Sequence, residues 1–247
     1  MDLPLAAAYG YALVLLRTLG MFVSAPVLSA RVVPMRARLG LGLLVAFAVW
    51  SGAGGPRIEP PGGIDGLAVA AAGETALGLL GGLSARWILE AARAAGQAMG
   101  LAAGIGMSQL MDPTTGDASG AVGEAVYQTA QAVAIAFGIH REAIGWLARS
   151  TAAWPPGAPR SLGDLAVRAI GSASVSAALA VRLAFPVMGA VLVGHATIGI
   201  LGRSAPQLSL SSIGFSVAIL AGGGALYLVA PAAAELAARA ALAAFQR

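Results

Sequence analysis

The chain contains no cysteine and no lysine, and only 11% of its residues are charged, against roughly 25% in an ordinary soluble domain. Without cysteine there is neither a disulfide scaffold nor thiol chemistry. With so few charges and a mean hydropathy of +0.81, the side chains cannot cover a water-facing surface. The same composition excludes intrinsic disorder. The 34 glycines follow no three-residue period, which excludes collagen. All fifteen basic residues are arginines spread singly along the chain, so neither a nucleic-acid footprint nor a polybasic lipid patch is present. The use of arginine alone reads as codon usage, not chemistry. The start, Met1-Asp2-Leu3-Pro4, lacks the basic region of a cleavable signal peptide, so the first apolar segment is expected to be retained. What remains is 58% hydrophobic over 247 residues, an integral membrane protein with room for about six crossings of about 20 residues each.

The apolar runs set the expected elements. A first span covers Leu5 to Ser29, with Arg17 inside it and Pro26 near its end, and a basic turn from Ala30 to Arg38 follows. A second run, Leu39 to Trp50, leads into a Pro/Gly-rich loop through Gly63. A third, Leu67 to Leu83, carries Glu74 and continues into an amphipathic helix whose Arg86, Glu90, Arg93 and Gln97 fall on one stripe. Gly96, Gly100 and Gly104 run on a neighbouring line, a small-xxx-small pattern that lets another backbone approach closely. This helix is expected to end near Met107 to Asp117, where Pro113 and Gly116 favour a turn.

A fourth run, Ala121 to Ile139, holds Glu124, Gln128 and Gln131 on one face and is expected to close at His140-Arg141-Glu142. A second loop spans Trp154 to Pro159. A fifth region, Leu162 to Gly202, is too long for one crossing and is expected to be divided at Pro186. After the turn Arg203 to Gln207, a last run from Ile213 is expected to close at Pro231, followed by a short helical tail. Arginine counts place the first turn and the segment from Arg141 to Arg160 on the same side, whereas three whole spans between them place them on opposite sides. One run therefore fails to cross, or the bias is not followed.

An ionisable group inside an apolar segment costs at least a few kcal/mol on insertion scales. Arg17, Glu74, Glu124 and Arg182 are therefore the candidate intramembrane functional residues, with the carboxylates either paired to arginines in a bundle or lining an aqueous path. His195, alone in an apolar run, is expected to be packed and hydrogen-bonded. His140 with Glu142 offers two metal-binding side chains and no third nearby. No Ser-His-Asp, HExxH or Walker-type spacing is present, and the glycines from Gly100 to Gly106 lack the preceding strand of a phosphate loop. No catalysis, cofactor or metal is expected.

The order of motifs resembles the FliR family of the flagellar type III export gate and its injectisome relatives. The likeness begins with Arg17-Thr18-Leu19-Gly20-Met21-Phe22 and Ala25-Pro26, and continues with Val33-Pro34-Met35-Arg36-Ala37-Arg38-Leu39-Gly40-Leu41. It goes on through Glu74 and Gly78, Met107 to Asp112-Pro113 and Gly116, and Gly138-Ile139-His140. It ends with Phe185-Pro186-Val187-Met188, Gly199, Arg203-Ser204-Ala205-Pro206-Gln207 and Ile213-Gly214-Phe215. Ser209 and Ser216 stand where the family usually has asparagine and proline. The Gly-Phe pair leans to the flagellar branch.

The resemblance implies an all-α, polytopic helical membrane protein of broken helices and helical hairpins. Residues 1–159 would form a FliP-like part, and residues 160–247 a FliQ-like hairpin and tail. It implies a non-catalytic subunit in the bacterial inner membrane, within the flagellar basal body, that assembles with FliP-like, FliQ-like and FlhB-like subunits into a channel for unfolded polypeptides. Residues 107–120 would be a plug built on Met107, Met111, Asp112, Pro113 and Gly116. Gly96, Gly100, Gly104, Pro186, Pro206 and Gln207 would serve packing and assembly. The alternatives are an injectisome-type gate subunit and a secondary transporter that uses Glu74 and Glu124 as ion-coupling carboxylates.

Overall fold

In a computed structural model of the chain, residues 3–29, 34–105, 120–158, 162–204 and 210–246 are described. Their regular structure is helical throughout: α1 (Leu3–Ser24), α2 (Met35–Gly52), α3 (Ile64–Ala102), α4 (Ala121–Ala136), α5 (Ile139–Ala153), α6 (Leu162–Ser204) and α7 (Leu210–Gln246). Five stretches are long and apolar enough to cross a membrane: Pro4–Ser24, Met35–Gly52, Ile64–Ala102, Ala166–Arg203 and Ile219–Gln246. Leu44, Leu192, Leu220 and Leu228 are each about 70% exposed or more, as side chains facing lipid would be.

The helix ends follow local chemistry. Pro26 has no N–H to continue α1, which stops at Ser24 and not at Ser29. At the end of α2, Gly54 and Gly55 take positive φ, and their N–H groups return to the carbonyls of Ser51 and Trp50, the bonding of a Schellman motif. α3 closes in the same way. Gly104 stands at φ +77, its N–H donates to Leu101, and the Ile105 N–H donates to Gly100. The helix thus ends before Met107, and Gly104 terminates it.

Two expectations are corrected at proline. α6 runs 43 residues through Pro186, and α7 runs 37 residues through Pro231, so neither proline divides its helix. Each removes one backbone donor, a loss that a long apolar helix with packed neighbours absorbs. The break falls at Gly138 instead. Its φ of +84 ends the fourth run and starts α5, a helix the sequence reading passed over. With 16 and 15 residues, α4 and α5 fall short of the roughly 20 needed to cross. Among the described residues, two candidate spans, α2 and α3, lie between the basic first turn and Arg141.

By contact the chain divides into two compact units that interleave in sequence. The first takes Met1–Trp87, Ile135–Ala173 and Ala240–Arg247. Its core holds Leu13, Val14, Met21, Phe22, Leu77, Ile139, Leu147 and Phe245. α1 and α3 approach backbone to backbone. A Cβ on Gly20 would lie 2.5 Å from the Thr75 carbonyl oxygen, and one on Gly78 would collide with the Arg17 carbonyl. The Trp146 ring of α5 fills the space left by Gly81. α2 lies on α1, where Tyr11, Phe47 and Trp50 meet edge to face or tilted at centroid distances of 6.1 to 6.4 Å.

The second unit takes Ile88–Ala134 and Ser174–Arg239. In it, α6 buries Leu179, Leu183, Val187 and Val191 along one helical stripe, and α7 buries a line of alanines from Ala233 to Ala238.

Candidate functional site

Arg17 and Glu74, each alone among apolar neighbours in sequence, meet in the first unit with both side chains fully buried. The Arg17 Nε–H donates to Glu74 Oε2 at 2.7 Å. Its Nη1 donates to Ser150 Oγ at 3.1 Å, and its Nη2 donates to the Trp154 carbonyl at 2.9 Å. The second carboxylate oxygen of Glu74 accepts the Gly157 N–H at 3.0 Å. The pair thus joins α1, α3, the last turn of α5 and the loop beyond it.

This arrangement answers a backbone problem. The chain leaves helical geometry at Trp154, the C-cap residue of α5, beside the middle of α1. Irregular backbone at membrane depth persists only where its polar groups find partners. A guanidinium at the end of α5 both caps a carbonyl and complements the negative end of the helix dipole. The planar fork of arginine suits this task because it reaches three acceptors at once. Glu74 balances the charge, and its spare oxygen takes a backbone donor of the same loop.

A second polar cluster lies in the second unit. Arg93 is 3.2 Å from Glu124, donates to Glu90 at 2.6 Å, and places its guanidinium carbon 3.8 Å from the centre of the Tyr127 ring. Gln128 donates to Glu124 at 2.5 Å. Glu74 and Glu124 are thus both paired with arginines. These side chains are partly exposed, so the cluster ties α3 to α4 without a sealed core.

Gly96 and Gly100 face α4 of the same chain. A Cβ on Gly96 would stand 2.8 Å from the Gly123 Cα, and one on Gly100 would stand 3.1 Å from the Val122 side chain. At Gly96 the close neighbour is the backbone of α4, at Gly100 it is a side chain, and Gly104 lies in the turn that ends α3. Gly96→Leu should therefore separate the two helices, costing about 1–3 kcal/mol or more. Gly100→Ala, which meets only a side chain, should be tolerated. Thermal unfolding of the two variants in detergent checks this, and equal midpoints would contradict it.

Arg182 and Pro186 are exposed on α6. His195 is exposed too, which corrects the expectation of a packed histidine: the buried stripe of α6 ends at Val191, one turn before it. Glu142 lies 3.7 Å from Arg149, which donates to the Phe245 carbonyl at the end of α7. Among the described residues, no three metal-binding side chains come together. Met107, Met111, Asp112, Pro113, Gly116, Pro206 and Gln207 lie outside the described residues.

Sequence reasoning found Arg17 and Glu74 but missed Ser150, Trp154 and Gly157. The available signal was the helical spacing of Ile139, Ala143, Trp146, Leu147 and Ser150, which are all buried in α5.

Long lipid-suited helices and a buried ion pair that satisfies helix and loop backbone define the chain as a polytopic α-helical membrane protein. Residues 8–243 match the family described as Bacterial export proteins, family 1, and the chain belongs to that family. It is similar to the flagellar biosynthetic protein FliR of Escherichia coli strain K12, with 29% identity over 210 residues, 84% of this chain and 79% of that protein. FliR of Pectobacterium carotovorum is 26% identical over 219 residues, 87% of this chain and 82% of that protein. FliR of Caulobacter vibrioides is 24% identical over 219 residues, 87% of this chain and 85% of that protein. The likeness read from the order of the motifs therefore extends along most of the chain.

Proposed function

We propose that the chain is a non-catalytic subunit of the flagellar type III export gate in the bacterial inner membrane. It assembles with FliP-like and FliQ-like subunits, and with an FlhB-like one, around a conduit for unfolded flagellar polypeptides. The observation that carries this reading is the family match over residues 8–243 together with relatives named for flagellar biosynthesis. Within it, residues 1–159 act as the FliP-like part and residues 160–247 as the FliQ-like hairpin, with residues 107–120 as the plug.

The buried site supports a scaffold. Both oxygens of Glu74 are taken by Arg17 and Gly157, which speaks against Glu74 as the ion-coupling carboxylate of a solute transporter. Removing this chain from its source cell should abolish flagellar filaments and swimming, with both restored by a plasmid-borne copy. A cell that still swims would overturn the reading.

A further inference from the structure

The geometry points to the outer face of α6 as a docking seam for one long apolar helix of another protein, which sets a carboxylate against Arg182. Arg182 stands near the middle of the apolar stretch Ala166–Arg203 and is exposed. Among the described residues it has no hydrogen bond and no ion pair. Arg17 and Arg93, by contrast, each find a carboxylate on a neighbouring helix, Glu74 at 2.7 Å and Glu124 at 3.2 Å. A charge among apolar side chains calls for the same balance at Arg182, and no described carboxylate of this chain supplies it.

Lipid alone cannot cover this face. The stretch has 38 residues and is about 57 Å long at about 1.5 Å per residue, against a hydrocarbon core of about 30 Å. Even at a tilt of about 40° it rises about 44 Å. Its exposed apolar side chains lie on both sides of Arg182, with Val167, Ile170 and Val181 before it and Phe185, Val193 and Ile200 after it. With Arg182 at headgroup height, one of these sets would be left in water.

The opposite face of α6 is already in use. Leu179, Leu183, Val187 and Val191 are buried, and a Cβ on Gly194 would meet Ala221 and Val217 of α7 at 3.5 Å. The open face has a form that a helix fits. Val175, Ala178, Arg182, Phe185 and Gly189 follow one another at alternating steps of three and four, the period of a helix-pairing seam. The first four are exposed, and the space beside Gly189 is empty to 4 Å, as it is beside Gly171 and Gly199 on the same line. Two copies of this chain paired in register along the seam would set Arg182 against Arg182. The occupant is therefore an acid-bearing helix and not a second copy.

The probe is a synthetic apolar helix as long as Ala166–Arg203, with Glu or Gln at its central seam position. Energy transfer between this helix and the labelled full chain in uncharged detergent reports docking. The Glu helix should bind about tenfold more tightly than the Gln helix. Arg182→Gln should remove that preference, and Arg182→Glu should instead prefer a helix with Lys at the same position. The thermal midpoint of Arg182→Gln should equal the native one, because the side chain holds nothing within the described chain. Equal binding of the two helices by the native chain, or a preference that survives Arg182→Gln, would overturn the inference. So would a lowered midpoint, which would give Arg182 a role in folding. Loss of the preference on adding phosphatidylglycerol would make Arg182 a site for lipid phosphate, and a native chain that pairs only with itself would make the face a self-interface; either would overturn it too. No gate subunit is used, so failure here leaves the gate reading standing, and the reverse also holds.

Discussion

Arg17→Met should abolish recovery of folded chain. The substitution leaves the Glu74 carboxyl fully buried without its cationic partner, and removes the donor from the Trp154 carbonyl. Breaking a buried pair from one side costs about 3–5 kcal/mol, against a total stability of roughly 5–15 kcal/mol for a domain. Arg17→Lys should rescue only in part, because an ammonium balances the charge but lacks the fork that serves Glu74, Ser150 and Trp154 together. The double variant Arg17→Met with Glu74→Leu should recover more than Arg17→Met alone, since no unpaired charge remains. It should still fall short of the native chain, because the Trp154 carbonyl and the Gly157 N–H lose their partners. Monodisperse yield and thermal unfolding in detergent check the series. An Arg17→Met chain as stable as the native one would contradict this role for the site.

Deleting Ser108 to Ser119 should leave the chain folded and assembled but make the membrane leak small ions. A conduit that admits an extended polypeptide is wider than a hydrated ion, so the resting state needs a seal. Methionine side chains are soft and adaptable, suited to closing around nothing and yielding to varied sequences. Pro113 and Gly116 bias the segment away from helix. With the gate proteins co-expressed, the deletion should raise membrane conductance severalfold and slow growth, while capture of the partner subunits stays normal. Unchanged conductance would reject the plug role.

The parts of the structure most legible in the sequence are those written in hydrophobic length and isolated charge. Five of the apolar runs are helices long enough to cross, and Arg17 and Glu74 stood out because each costs free energy where it lies. Local punctuation was harder to read. Pro186 and Pro231 read as breaks, yet packing and length carried α6 and α7 through them. Gly138, a real break, looked like one glycine among many, since positive φ is set by the turn and not announced by the residue. Gly96 and Gly104 share one spacing, yet one packs against α4 and the other ends α3. Ser150 lies on a legible helical stripe, but its role, like those of Trp154 and Gly157, depends on where the tertiary fold brings Arg17 and Glu74.

The most direct measurement expresses the tagged full chain with and without FliP-like and FliQ-like proteins, and compares capture of partners with solute uptake into liposomes. A stable complex with those subunits, and no uptake by the chain alone, is the predicted result. A chain that captures neither partner and carries a metabolite across the bilayer by itself would contradict the account.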